Sequence, residues 1–580
     1  MAFQVKVVRK LGLADVVILC LLGGVIAAVV AFAREVEGPF RQVVQVDLRA
    51  AALPRYTLYS FMRGVTALLI SYVFALGFGY AAAKSRVAER LLLPLLDILQ
   101  SIPVLGFLPG LVLGLVTLFP TRNLGLELAA ILMIFTAQAW NLAFSFYHSL
   151  KGLPEPLRDA CRVAGWGRRR TFWQLEVPAA AQGLVWNGML SMAGGWFFLM
   201  VNEAFRLGDR DYRLPGVGSY MSVALDQGNV PAMVLAIVAM VAMIVCVDRL
   251  VWRPLVVWVE KFRLDETTGG ERATSWVLDF LRRARLPRRA AVYRRRAYRS
   301  ALRATRTLQR PFRAVQPVIM RAPTLALAHP AARKVAGALL LGAAAVATVG
   351  GLRELWLLLR QLGASDWGSL LASAGLTFAR VMAALALSTA WALPAGVLIG
   401  RSPRLEHVLQ PLIQVVAAFP APMLFPIVVL VFERMGIGLG LGAVALMVLA
   451  GQWYILFNVI SAVAAIPTQL KDAAAAFQLS RPARWRLLYL PAAFPALVTG
   501  WVTAAGGIWN GTIVAEYVEV GGALRVAPGL GSLISEATAH GDFPLLAGGI
   551  ALMSVIVVGW NRVVWRSLAE WARARFAIVQ

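Results

Sequence analysis

Residues 153–178 read LPEPLRDACRVAGWGRRRTFWQLEVP, and residues 466–491 read IPTQLKDAAAAFQLSRPARWRLLYLP. The two stretches share one plan. Each opens on a proline and places an acid, Asp159 or Asp472, in the first helical turns, where the helix dipole favours negative charge. Small residues follow at Ala160 and at Ala473 and Ala474, then basic and aromatic ones, and Pro178 or Pro491 leads into a long apolar run. Corresponding positions differ by 313. That offset also carries Trp196 to Trp509, Glu203 to Glu516, Gly216 and Gly218 to Gly529 and Gly531, and Trp252-Arg253 to Trp565-Arg566. Nearer the N-terminus it is 317, taking Arg63 to Arg380, Pro94 to Pro411, Pro103 to Pro420 and Pro109 to Pro426. The first copy therefore holds four extra residues between Pro109 and Trp140. A repeat this long is a duplicated domain and not a solenoid unit, and it implies a pseudo-twofold axis.

The composition says where such a duplicate resides. The chain is 59% hydrophobic and 15% charged, with a mean hydropathy of +0.69, outside the usual range of soluble domains. Leu11 to Ala33 is interrupted by one charge, Asp15, and is long enough to cross a hydrocarbon core of ~30 Å at ~1.5 Å per residue. Similar blocks recur. The expected spans are 11–33, 57–83, 91–119 (broken by prolines), 125–149, 178–203 and 231–254, then 335–359, 370–400, 406–432, 438–464, 491–515 and 544–566. The expected fold is an all-α membrane protein of about twelve transmembrane helices, built as two homologous six-helix halves. Its expected domains are residues 1–254, a basic joint 255–334, and residues 335–580.

Lys and Arg mark cytosolic loops. Segments 84–90, 151–170, 253–334, 401–404, 471–486 and the stretch after Arg566 are all basic, which places both termini in the cytosol. The N-terminal apolar run is too long for a cleaved signal and reads as a retained first helix. The joint carries fourteen arginines from Arg282 to Arg321, with no acid after Asp279. Lying on anionic lipid headgroups, each would contribute ~1 kcal/mol; docking a partner is the other reading. Nucleic acid is not expected, because no stacking platform accompanies the charge. Cys20, Cys161 and Cys246 lack disulfide or zinc spacing, and His148, His329, His407 and His540 are scattered, so no metal site is expected.

The repeated loops resemble the cytosolic coupling motif of binding-protein-dependent ABC importer permeases: Glu-Ala-Ala, three residues, Gly, about nine residues, then Ile-x-Leu-Pro. Asp159-Ala160, Gly165 and Val177-Pro178 carry the match in the first copy, and Asp472-Ala473-Ala474 and Leu490-Pro491 in the second. Asp stands for Glu in both, Cys161 for an Ala, and Gln478 for the Gly. The proline-broken third helix and the loops Pro215-Gly-Val-Gly-Ser219 and Pro528-Gly-Leu-Gly-Ser532 are similar to the nitrate/sulfonate/taurine branch, and the tandem copies to its fused permeases. The resemblance implies a type I importer of the bacterial inner membrane, carrying a small anion such as nitrate, a sulfonate, taurine or bicarbonate by alternating access. Two cytosolic ATPase subunits would dock on the two loops, with a periplasmic binding protein as a further partner. The duplication makes one permease chain per complex sufficient. The chain has no GxxxxGK[ST] loop, so ATP and Mg would be bound by the partner and this chain is not expected to be an enzyme.

Candidate pathway residues come from charges and polar groups within the spans. A charge at a span's centre costs ~2.5–3.5 kcal/mol on insertion scales. Arg63 and Arg380 lie inside the second helix of each half, with Glu203 and Glu516 at the end of the fifth. Trp196, Trp509, Asn202 and Asn510 lie on that fifth helix, near small residues that permit close packing. Two readings stay open: arginines lining an anion pathway, or Arg–Glu pairs that satisfy each other. Two other classes compete with the importer. A twelve-helix secondary transporter of a small anion would also show duplicated halves, and a membrane enzyme would need a polar catalytic cluster, which the sequence lacks.

Overall fold

The computed structural model describes residues 13–40, 45–101, 103–207, 210–262, 275–283, 342, 346, 348–520 and 523–576. Most of the arginine-rich joint, including His329, lies outside the described residues. So does part of the span expected at 335–359.

The first half runs through α1 (Leu13–Val36), α2 (Leu53–Lys84), α3 (Arg86–Ser101), α4 (Leu108–Leu118), α5 (Leu124–Lys151), α6 (Glu155–Val163), α7 (Arg168–Thr171), α8 (Val177–Glu203), α9 (Val217–Asp226), α10 (Val230–Val247) and α11 (Arg253–Val259). A short helix, α12 (Trp276–Arg283), follows. The second half comprises α13 (Ala364–Gly400), α14 (Pro403–Ala418), α15 (Phe425–Arg434), α16 (Leu439–Ala464), α17 (Thr468–Ala476), α18 (Arg481–Arg484), α19 (Leu490–Ala515), α20 (Leu530–His540), α21 (Phe543–Trp560) and α22 (Arg566–Phe576). Helices α3 and α4 start 317 residues before α14 and α15; α6 to α11 start 313 before α17 to α22. The surplus of the first copy is one residue in α4, one in the loop after it and two in α5.

The chain forms two compact units. One gathers residues 1–27 and 274–361; the other holds residues 28–273 and 362–580, and so both sets of repeated helices. Within the larger unit each half packs α2, α5 and α8, or α13, α16 and α19, around its own apolar core. Glycines set the closest crossings. A Cβ on Gly79 would lie 3.0 Å from the Phe146 ring, and one on the equivalent Gly396 would lie 2.7 Å from Val459, so α2 and α13 approach their neighbours almost backbone to side chain.

Nine helical stretches among the described residues are long and apolar enough to span a membrane. The expected span 91–119 is broken, as its prolines predict, and 406–432 is broken in the same way, each into two helices joined by a short 3-10 turn. Pro103 and Pro420 precede the turns and withhold an N–H, while Pro109 and Pro426 occupy the first positions of α4 and α15, where proline starts a helix. At 16 and 11 residues, α3 and α4 are too short to cross singly.

A π-turn precedes Pro178 at Phe172–Glu176, and another precedes Pro491 at Trp485–Tyr489. Proline supplies no N–H and crowds the carbonyl four residues back, and the wider turn relieves both. Asp248–Trp252 and Asn561–Trp565 form a second equivalent pair. Pro254 follows the first of these, but Ser567 stands in the corresponding place of the second, so proline alone does not explain the turn there. The strands form two short antiparallel hairpins after α8 and α19: β1 (Arg206–Leu207) with β2 (Arg210–Asp211), and β3 (Tyr517–Val520) with β4 (Ala523–Val526).

Candidate functional site

Three places in the larger unit bring together the residues singled out by the sequence. The first is a charged cage at the far end of α8. Arg63 is completely buried, and its guanidinium grips the Glu127 carboxylate at 2.6 and 2.7 Å, Glu203 at 2.7 Å and the Pro215 carbonyl at 2.8 Å. Glu203 also accepts hydrogen bonds from the Ser60 hydroxyl and from the Gly218 amide at 2.8 Å. The Pro-Gly-Val-Gly-Ser loop is glycine-rich because it folds onto this carboxylate: a Cβ on Gly216 would sit 2.2 Å from the Glu203 carboxyl carbon. Ser219 caps the loop by accepting from the Gly216 amide. Arg63 and Glu203 therefore satisfy each other, as a buried ion pair must.

The second half rebuilds the cage with one member missing. Arg380 bonds Glu516 at 2.8 Å and the Pro528 carbonyl at 2.8 Å; Thr377 replaces Ser60, and Gly531 donates to Glu516. Gly440 stands where the first half has Glu127, and Arg380 donates to its carbonyl at 3.2 Å. Glu127 escaped the reading of the sequence because that reading searched for matched pairs. An unexplained acid in the apolar run 125–149 was the available signal.

The second place is a cavity of about 400 Å³ between the halves. Trp140 and Trp453, Phe144 and Phe457, and Val104 and Ala421 face it as equivalent pairs. Trp509 and Asn510 line it as well. Arg63, Arg380, Glu203, Glu516 and Asn202 do not, and no charged side chain appears in its wall among the described residues. The Asn510 amide oxygen accepts from the Val104 backbone N–H at 2.9 Å, tying α19 to the turn before α4 across the two halves. Trp196 packs its ring on Gly64, where a Cβ would come within 2.7 Å, and borders a smaller space of about 50 Å³. Asn202 is buried and donates to the Phe198 carbonyl. Nearer the cages lies a second chamber of about 470 Å³, walled by the pairs Pro109 and Pro426, Val201 and Val514, and Ser222 and Ser535. Arg206 and Glu519 border it, 3.5 Å apart.

One further exchange relates α5 and α8 to α16 and α19. Gly195 lies against Gln138, and the equivalent positions hold Ile508 and Gly451. The large and small partners have changed places, which keeps both helix pairs in contact. Both amide atoms of Gln138 are buried and lack hydrogen-bond partners among the described residues.

The third place is the pair of repeated loops, at the other end of α8 and α19. Helices α6 and α17 each close in a Schellman motif. Trp166 donates to the Cys161 carbonyl and Gly165 to Arg162; Leu479 donates to Ala474 and Gln478 to Ala475. The residue that turns left-handed is Gly165 (φ +66°) in one loop and Gln478 (φ +47°) in the other. Asp159 is exposed and pairs with Arg162 on its own helix, while Ala160 and Asp472 are exposed, Ala473 is half-buried and Ala474 is buried. Val163 and Phe477 present apolar side chains that are 90% and 79% exposed. Behind the first loop, Lys84 bonds Glu176 and ties α2 to the start of α8. Hydrogen bonds from Lys151 and Tyr147 hold the Glu89 carboxyl below its usual range.

Duplicated membrane-spanning halves around a shared cavity define a multi-pass transport protein. More narrowly, the chain belongs to the family of binding-protein-dependent transport system inner membrane components, whose model matches residues 75–252 and again 392–564. It is thus an ABC transporter permease with two family domains in one chain. Among its relatives is the taurine transport system permease protein of Escherichia coli, 26% identical over 213 residues, or 36% of this chain and 72% of the relative. The bicarbonate transport system permease protein of Synechococcus elongatus is 26% identical over 208 residues, or 36% of this chain and 68% of the relative.

Proposed function

We propose that one copy of this chain serves as the permease of an ATP-driven importer for a small anion, working by alternating access with two ATPase subunits docked on α6 and α17. The observation that carries this reading is the doubled loop. Each loop presents a short helix closed by a left-handed residue and leads through a π-turn into α8 or α19, the helices that border the central cavity. A push on either loop therefore has a short mechanical route to the cavity wall. The basic loops fit a cytosolic face of the inner membrane, with both termini inside and the cages outside. Val163 and Phe477 are suited to anchor in an ATPase groove beside Asp159 and Asp472. A periplasmic binding protein would deliver the solute to the second chamber, and the basic joint would rest on anionic lipid.

The relatives named for taurine and bicarbonate transport support a substrate that carries an oxyanion group. In this reading the arginines bind no substrate: each is held by carboxylate, so the cages act as rigid ties at the outer end. Neutral donors would receive the anion, among them Gln100, Asn141 and Asn510. The family match gives no support to a secondary transporter. Affinity purification of this chain from its native membrane tests the proposal. Recovery of an ATPase in a two-to-one ratio supports it, and recovery of the chain alone, active with a proton gradient, overturns it.

A further inference from the structure

The two halves have kept their frame and diverged at the cavity: Thr136 has Leu449 as its equivalent, and three further differences fall on two pseudo-equivalent walls. On one wall the 3-10 turn that follows α3 meets α19, joined by the Val104–Asn510 hydrogen bond; the wall presents Gln100, Thr503 and Asn510. The pseudo-equivalent wall, where α14 meets α8, presents Ala417, Leu190 and Phe197 at the same three positions. All three differences have the same sense, amide or hydroxyl against hydrocarbon. A homodimeric permease would have two identical walls here. The fused chain has one wall that is polar at these three positions and one that is apolar there.

We infer that the cavity binds an amphiphilic organic anion, a sulfonate or carboxylate head on an aromatic or branched hydrocarbon body, in one fixed orientation. The head faces α3 and α19 and the body faces α8 and α14. This rests on the reading of the cavity as the substrate pathway. An uncharged polar wall suits an anion that must also leave, since hydrogen bonds from neutral donors hold it less tightly than an ion pair would. The remaining wall matches the usual construction of ligand pockets, mostly apolar and aromatic with few polar groups fixing orientation. An inorganic oxyanion of roughly two waters' volume, ~60 Å³ at ~30 Å³ per water, would leave most of about 400 Å³ unfilled and the apolar wall without a partner.

Calorimetric titration of the full chain in lipid nanodiscs tests this with three probes: benzenesulfonate, taurine and sulfate. The first two share a sulfonate head and differ in the body, an aromatic ring in one and a two-carbon chain ending in an ammonium in the other; the third has no body. Benzenesulfonate is expected to bind about tenfold or more tighter than either of the others, the range a few well-buried carbons provide. Gln100→Leu, close in size, should weaken benzenesulfonate about three- to tenfold, a neutral hydrogen bond's share. Phe197→Asn makes that pair Asn/Asn and should shrink the preference over taurine to about twofold; Leu190→Thr is the milder second variant should the first not fold. Equal or tighter binding of taurine or sulfate by the native chain overturns the inference, as does an unchanged preference in a folded Phe197→Asn or Leu190→Thr protein. Binding needs no ATPase, so failure here leaves the docking proposal standing, and failure of docking leaves this result intact.

Discussion

Arg206 and Glu519 occupy equivalent positions in the two halves, and their side chains meet at 3.5 Å. In a permease of two identical chains, a residue at this place on the axis would face a copy of itself, with like charges opposed. Fusion allowed the two positions to take opposite signs. Arg206→Glu should destabilise the chain by roughly 1 kcal/mol, the upper range for exposed pairs. Adding Glu519→Arg should recover only part of this, because Asp226 also pairs with Arg206. A double-mutant cycle in thermal unfolding reads the coupling.

The cages differ in strength. Arg63→Gln strands two buried carboxylates, Glu127 and Glu203, and should cost about 3–5 kcal/mol, seen as lost folded yield and a lower melting temperature. Adding Glu127→Gln should restore part of the loss. Arg380→Gln strands only Glu516 and should be the milder of the two. Where the Arg380→Gln protein folds, its anion uptake should stay near normal.

The exchange between Gln138–Gly195 and Gly451–Ile508 predicts a rescue. Gly195→Ile drives a side chain into Gln138, whose amide nitrogen lies 2.6 Å from where a Cβ would stand, and should cost about 1–3 kcal/mol. Adding Gln138→Gly recreates the arrangement of the other half and should recover most of the stability in the same unfolding assay.

Gln478 holds a conformation that glycine adopts freely and other residues at a cost of roughly 1 kcal/mol. Gln478→Gly should raise the hydrogen-exchange protection of α17, and Gly165→Gln should lower that of α6. Open space surrounds Gly165, so backbone strain alone is changed there.

The sequence made legible whatever repeats. The offset from Asp159 to Asp472 located the loops, Pro103 and Pro109 marked the broken helix, and the Arg63–Glu203 pairing stood as one of two readings. Among the features that break the symmetry, Gln478 against Gly165 was legible and others stayed hidden. Glu127 has a glycine as its counterpart, Gln138 matches a glycine that lies against a different residue type, and the amphipathic cavity follows from differences between walls that only the assembled helices bring together. A π-turn at Asn561–Trp565 without a following proline has no local signal at all.

The central claim, that two docked ATPases drive this permease through α6 and α17, is tested most directly by ATP-dependent anion uptake in proteoliposomes holding the whole complex. Asp159→Ala with Asp472→Ala alters exposed side chains of the loops, and separately Ala160→Trp with Ala473→Trp fills an exposed and a half-buried position there; both leave the cages and cavity untouched. The predicted result is uptake and substrate-stimulated hydrolysis both lost, about tenfold or more, with the melting temperature of the chain unchanged. Full ATP-driven uptake in both doubly substituted proteins, or uptake that proceeds on an ion gradient without ATP, would contradict it.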